Sequence, residues 1–214
     1  MKLTLILFEK SDVVSSTRWP MRILLASASE RRGAILSERF SNIQQKALND
    51  VDESVPRDTI SEQVRQVVSR KAVAVQLDDD YDVVIVADTL VEDPDDERDA
   101  LGKPDSKEEA TTMLLRLRGG RHRVWSATMV HAAGKWHTSV EYALVEIENF
   151  SDDVLIELIE SESWVGKAGG YDLAGMMGQY AKLVEGSEST VLGFTQSSLD
   201  YLEELQSLFS MSRS

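Results

Sequence analysis

A chain of 214 residues is long enough to bury a full core, as one α/β domain or as two lobes around a cleft. Its 23 basic and 37 acidic residues leave a net charge of −14, which opposes a broad footprint on nucleic acid or on an anionic membrane, so a bound nucleotide would have to be held locally. The absence of cysteine excludes disulfides and thiolate chemistry and favours an intracellular, cytoplasmic location; no stretch approaches the roughly 20 apolar residues of a bilayer span.

The apolar residues 3–8 run directly into Glu9 and Lys10 without a small-residue cleavage site, which argues against a signal peptide. They are an added strand or an upstream start, with Met21 as a natural second beginning, so 1–20 is expected to be an extension and 21–214 the working domain. Residues 22–26 read as a short buried strand and Ser27-Ala28-Ser29 as the turn into a helix from Glu30, with Ser29 as its cap. A strand that ends at a helix N-terminus turns free amides and the positive end of the dipole outward. With Ser27, Arg31 and Arg32 this is either a phosphate cradle or an ordinary capped helix with two surface arginines. Residues 43–48 extend as a strand, and Asp52-Glu53 either sit in a loop or aim a carboxylate at a metal. Ile60, Val64, Val67, Val68, Ala72 and Val75 recur at helical spacing, and Lys71 beside that stripe reads as a snorkelling surface lysine.

The stretch 83–91, Val-Val-Ile-Val-Ala-Asp-Thr-Leu-Val, reads as a strand buried on both faces, where a charged Asp88 is costly unless it caps the next turn or meets a cation, a metal or a reacting water. The acidic runs 78–80 and 92–97 read as solvated loops; the second lacks the glycine and ligand spacing of a calcium loop. Gly102 and Pro104 constrain Lys103 between them. A helix capped by Ser106 runs to Arg118, and Gly119-Gly120 end it. Residues 121–130 and 135–147 alternate around Ala133-Gly134 as a hairpin, which leaves His122, His131 and His137 as strand or turn residues without zinc-site spacing. Ser151 caps an amphipathic helix, the segment 166–178 is too rich in glycine for a regular element and is a mobile loop or a binding surface, and 197–209 is a further helix.

No P-loop occurs, and Leu90 stands where a haloacid-dehalogenase-type phosphatase would carry its second acid after Asp88. Four blocks in order, Leu24-Leu25-Ala26-Ser27-Ala28-Ser29-Glu30-Arg31-Arg32, Asp50-Val51-Asp52-Glu53, Ala87-Asp88-Thr89-Leu90-Val91 and Leu101-Gly102-Lys103-Pro104, resemble those of the Maf-like nucleoside triphosphate pyrophosphatases, the septum formation inhibitor family. Lys167-Ala168-Gly169-Gly170-Tyr171 looks like a fifth. The resemblance implies an elongated, mixed-sheet α/β fold with two lobes around a central cleft, similar to the inosine triphosphatases. It implies metal-dependent hydrolysis of nucleoside triphosphates, pyrimidine or modified ones, to the monophosphate and pyrophosphate, as a cytoplasmic house-cleaning activity. By position, Asp88 would be the general base and share a divalent metal (Mg2+, with Mn2+ or Co2+ as alternatives) with Glu53. Ser27, Arg31, Arg32, Lys71 and Lys103 would hold the substrate, and Thr89 and Ala174 would tune base choice. The nucleotide is then the expected partner, with a homodimer and without nucleic acid or membrane.

Three departures from the family pattern stand out. Glu30 replaces a proline beside the arginines, Ala174 replaces a glutamine or glutamate, and Phe194-Thr195 replaces leucine-proline, the last expected to change packing only. Glu30 and Ala174 motivate an alternative, a nucleotide-binding regulator of septum formation with little catalysis.

Overall fold

The computed structural model describes residues 20–211; the apolar stretch 3–8 and the rest of the expected extension up to residue 19 lie outside the described residues. The chain folds in the order β1 (Ile23–Ala26), α1 (Glu30–Arg39), β2 (Ile43–Lys46), α2 (Ile60–Ala74), β3 (Val83–Asp93) and β4 (Asp96–Leu101). There follow α3 (Lys107–Leu117), β5 (Arg121–Ala132), β6 (Lys135–Ile147), α4 (Asp152–Glu160), β7 (Ala181–Glu185), α5 (Glu188–Leu192) and α6 (Gln196–Met211). The seven strands form one mixed sheet in the order β2-β1-β3-β5-β6-β7, with β4 also paired to β3.

The long β3 has one partner along its whole β5 side but two short ones on the other. There β1 runs parallel to Val83, Val84 and Ile85 and then departs, and β4 joins antiparallel only from Val91. Between them residues 86–90 pair with β5 alone, so the sheet splits at that edge around Asp88 and Thr89. A crevice where neighbouring strands diverge is where α/β sheets take ligands.

Apolar side chains gather on either side of the split. Ile23, Leu25, Leu36, Val83, Ile85, Phe194, Leu199 and Leu202 pack β1, α1 and α6 together, and Val64, Val68 and Ala72 of α2 close the opposite face against Val86, Ala127 and Met129. Beyond the split, Val91, Leu101, Leu114, Leu117, Val145, Ile147, Leu158 and Trp164 build a second lobe from β4, β7, α3 and α4. Each fully buried leucine or isoleucine contributes about 1.5–3 kcal/mol over an exposed one, and the strands β3, β5 and β6 run through both lobes. The expected two-lobed, mixed-sheet architecture is what the chain adopts.

Local signals account for the helix starts. Ser29, Ser106 and Ser151 each accept a hydrogen bond through Oγ from the backbone N–H three residues on. Residues 92–97, in contrast, are a solvated turn only at Pro94 and Asp95. Glu92 and Asp93 are the buried end of β3; Glu92 accepts from Trp125 Nε1 at 2.8 Å and Arg123 at 3.0 Å, and Asp93 pairs with Arg116 at 2.9 Å. Partners from β5 and α3 make that burial tolerable. The run 78–80 is exposed, as expected.

The glycine-rich segment also packs more regularly than its composition suggests, as two short 3-10 turns over Ala168–Gly170 and Met176–Gln179 with Tyr171 and Met177 buried. Gly169 has φ 71° and lies so close to Val91 that an added Cβ would sit 3.0 Å from its Cγ1, so the glycine serves backbone approach and a left-handed turn. Phe194 is fully buried, a packing role, but Thr195 does more than pack. Its N–H donates to Thr128 Oγ1 at 3.2 Å and its hydroxyl pairs with Ser139; proline would remove that donor.

Candidate active site

The split in the sheet opens into a cavity of about 460 Å³. One wall is the Ser27–Ser29 turn and the start of α1; opposite stand Lys103, Lys167, Ala168 and Tyr171 of the second lobe, with Asp88 and Thr89 on the floor and Glu53 and Lys71 at the side. The turn is held from behind. Gln45 Nε2 donates to the carbonyls of Ser27 at 2.8 Å and Ser29 at 3.0 Å, which occupies those oxygens on the β2 side. Gly33 is what lets Gln45 approach, since a Cβ there would lie 2.2 Å from Gln45 Oε1. Ser27 Oγ accepts from the Ser29 N–H at 3.2 Å and from Arg32 at 3.3 Å.

Arg32 is not a surface arginine. It is buried, and its guanidinium donates to the Gly193 carbonyl at 2.9 Å, to Ser27 Oγ and to Thr89 Oγ1 at 2.9 Å, all neutral acceptors. Burial pulls its pKa down, and the nearby carboxylates of Asp88 and Glu53 oppose that shift. A guanidinium does not lose its proton in a protein even so, and among the described residues no carboxylate lies at bonding distance from it. Thr89 Oγ1 is also bonded to Ser126 Oγ at 2.8 Å, so the hydroxyl supports Arg32.

Asp88 is 7% exposed. Lys71 Nζ donates to its Oδ1 at 2.6 Å and pairs with Glu53 Oε1 at 2.8 Å. Lys71 is thus a half-buried site lysine, its side chain 12% exposed, and the snorkelling reading gives way because α2 packs with that residue over the floor of the cleft. The Glu53 side chain is 54% exposed and open to solvent. Lys103 is exposed on the cavity wall and, among the described residues, forms no hydrogen bond or ion pair. Arg31 donates through Nε to the Leu192 carbonyl at 3.0 Å and pairs with Asp172 at 3.2 Å. Ala174 is exposed and does not line the cavity; the adjacent Leu173 does.

Lys167, Tyr171, Asp50 and Glu30 also line the cavity without having been assigned a role above. For Lys167 and Tyr171 the signal was their place in the fifth block. Tyr171 OH is hydrogen-bonded to His122 Nε2 at 2.7 Å, and His122 Nδ1 is buried without a partner among the described residues. Burial lowers the His122 pKa to about 4 and raises that of Tyr171, so both rings stay neutral near pH 7.

Arg31, Arg32, Lys71, Lys103 and Lys167 give the lining five cations against the four carboxylates of Glu30, Asp50, Glu53 and Asp88. Among the described residues no group of three or more histidine, cysteine, aspartate or glutamate side chains is placed to hold a metal. Two carboxylates do converge on one point, which the Lys71 ammonium now fills, and that donor set suits a hard cation completed by ligand oxygens and water.

Among known proteins, the family described as Maf-like protein matches residues 22–205. A dTTP/UTP pyrophosphatase of Pyrococcus abyssi is 32% identical over 171 residues, covering 80% of this chain and 89% of that protein. One from Clostridium beijerinckii is 31% identical over 192 residues, covering 87% and 100%. Among solved structures the Staphylococcus aureus Ham1 protein aligns with a TM-score of 0.41 at 16% identity, over 60% of this chain and 72% of that one.

Proposed function

The chain belongs to the Maf-like family, and from that premise we propose that residues 21–214 form an enzyme that hydrolyses nucleoside triphosphates to the monophosphate and pyrophosphate. The observation that carries this reading is a buried carboxylate, Asp88, at the split of the sheet, in one cavity with Arg31, Arg32, Lys103 and Lys167. The substrates are pyrimidine nucleotides, in line with the names of the relatives from Pyrococcus and Clostridium.

The chemistry follows from the placement. The amides at the start of α1 and the arginines and lysines around them receive the phosphate oxygens. Asp88 accepts a proton from the water that attacks the α-phosphorus, and the ammonium of Lys71, which bridges Asp88 and Glu53 in this structure, has to give up that place when a metal ion enters. The guanidinium of Arg32, held by neutral groups, keeps its charge for the ligand. A triphosphate brings roughly four negative charges and the cavity lining has one net positive charge, so a further cation is required. Glu53 and Asp88 would hold a divalent ion, Mg2+ first, with Mn2+ or Co2+ as alternatives. Bound there, it supplies neutralisation of charge on the phosphates. The proposal extends to a cytoplasmic homodimer; no described helix is long and apolar enough to cross a membrane. A buried base beside an ammonium favours turnover over the binding-only alternative.

Incubation with a panel of triphosphates and Mg2+ or Mn2+, with pyrophosphate as readout, tests the reading. Turnover of dTTP or UTP is expected, with loss of pyrophosphate release when EDTA is added and recovery on restoring the metal. Turnover of no triphosphate at all sinks it. Lys103→Ala and Glu53→Ala should each lower kcat/KM by about 10²-fold. For Lys103→Ala the melting temperature should stay unchanged, because the side chain has no protein partner among the described residues.

A further inference from the structure

The cation pair on the rim of the cavity is already occupied by a group of the protein itself. Asp172 follows Tyr171 in the second lobe, and its carboxylate reaches back across the cleft mouth to α1. Arg31 donates to its Oδ1 at 3.2 Å, and Lys167 Nζ lies 3.7 Å from Oδ2. The Ala174 N–H donates to the same Oδ1 at 3.1 Å and fixes the carboxylate in this pose. With the Arg31 and Asp172 side chains 22% and 17% exposed, the pair is shielded from bulk water, so its attraction exceeds that of a fully exposed ion pair. Arg31 and Lys167 are two of the five cations lining the cavity, while among the described residues Arg32 and Lys103 face no carboxylate at bonding distance.

We infer that Asp172 is a specificity-determining residue: an internal anion that a ligand must displace from Arg31 and Lys167, and which thereby sets how many anionic oxygens a nucleotide must bring. The inference rests on the nucleotide reading of the cavity. A ligand that engages only Arg32 and Lys103 leaves the Asp172 contacts intact and gains nothing from the rim. A ligand with a longer phosphate chain replaces one carboxylate by several oxygens and offsets the loss of the ion pair. Discrimination comes from the competitor built into the site as well as from attraction. The same competition weakens retention of products, each of which carries fewer phosphates than the substrate.

Asp172→Asn tests this, because the amide keeps an oxygen for the Ala174 N–H while losing the charge and the acceptor that faces Lys167. Calorimetric titration with inorganic pyrophosphate in Mg2+ buffer should show affinity roughly three- to tenfold tighter than for the unmodified protein. The KM for a triphosphate should fall in the same direction, and the preference for triphosphate over diphosphate should narrow. Asp172→Ser, titrated alongside, should shift pyrophosphate affinity the same way, so the outcome does not depend on one variant folding. Unchanged or weaker pyrophosphate binding in the folded variants overturns the inference and makes Asp172 a support that orients Arg31. The titration needs no turnover: failure of every triphosphate as substrate would remove the enzymatic reading, and the pyrophosphate affinities would still decide the role of Asp172.

Discussion

Asp88→Asn is expected to lower kcat by about 10³-fold at saturating nucleotide and metal, within the 10²–10⁴ that a positioned general base contributes. The amide is nearly isosteric and can still accept a hydrogen bond from Lys71 Nζ, so the fold should persist. What is lost is the capacity to take a proton from water and one of the two carboxylates at the proposed metal position. Steady-state pyrophosphate release, with the melting temperature as a control for folding, measures it. A variant that retains a tenth or more of the unmodified rate would remove Asp88 from the role of base.

Arg32→Met should reduce both activity and stability, and the second effect separates it from the other site variants. Methionine approximates the length of the side chain but takes the guanidinium donor from the Gly193 carbonyl and leaves Ser27 Oγ with Ser29 N–H and Thr89 Oγ1 with Ser126 Oγ, each one bond short in a buried place. Removing one partner from such a network costs about 2–4 kcal/mol, which for a chain of this size corresponds to a melting temperature lower by roughly 5–15 °C. Turnover should fall by about 10³-fold, since the cavity loses a buried charge where electrostatic terms are strong. Arg32→Lys should restore little, because one ammonium cannot reach three acceptors that the guanidinium fork spans. A melting temperature unchanged in Arg32→Met would show that the three bonds carry no stability.

Several parts of this arrangement were legible residue by residue. Ser29, Ser106 and Ser151 announce their helices because a cap acts on an amide three positions away. The apolar alternation around Ala133-Gly134 gives the β5–β6 hairpin for the same reason of short range. Asp88 was conspicuous as a charge in an apolar run. The partner of that charge was not: Lys71 lies on a helix whose stripe suggested an ordinary surface lysine, and it meets Asp88 because α2 packs across the face of β3. Glu92 and Asp93 were misread because acids at the end of an apolar run look like a loop until Trp125, Arg123 and Arg116 arrive from other elements. Glycine content alone likewise did not disclose that Gly169 has to approach Val91.

The amino-acid order by itself determined β1, β2, β3, β5 and β6, the helices α1, α2, α3, α4 and α6, and the caps Ser29, Ser106 and Ser151, and through its five blocks the family, since these depend on short-range pattern and on motif residues; β4, β7 and α5 were not legible in it. Tertiary structure alone decided which charges meet: Lys71 with Asp88 and Glu53, Arg32 with Thr89 and the Gly193 carbonyl, Arg31 with Asp172. Those pairings exist because β1 leaves β3 after Ile85 and β4 joins it only at Val91, and the edge left between them is where side chains from both lobes converge. No periodicity or local propensity encodes such a gap, because it arises from the order in which distant strands add to the sheet.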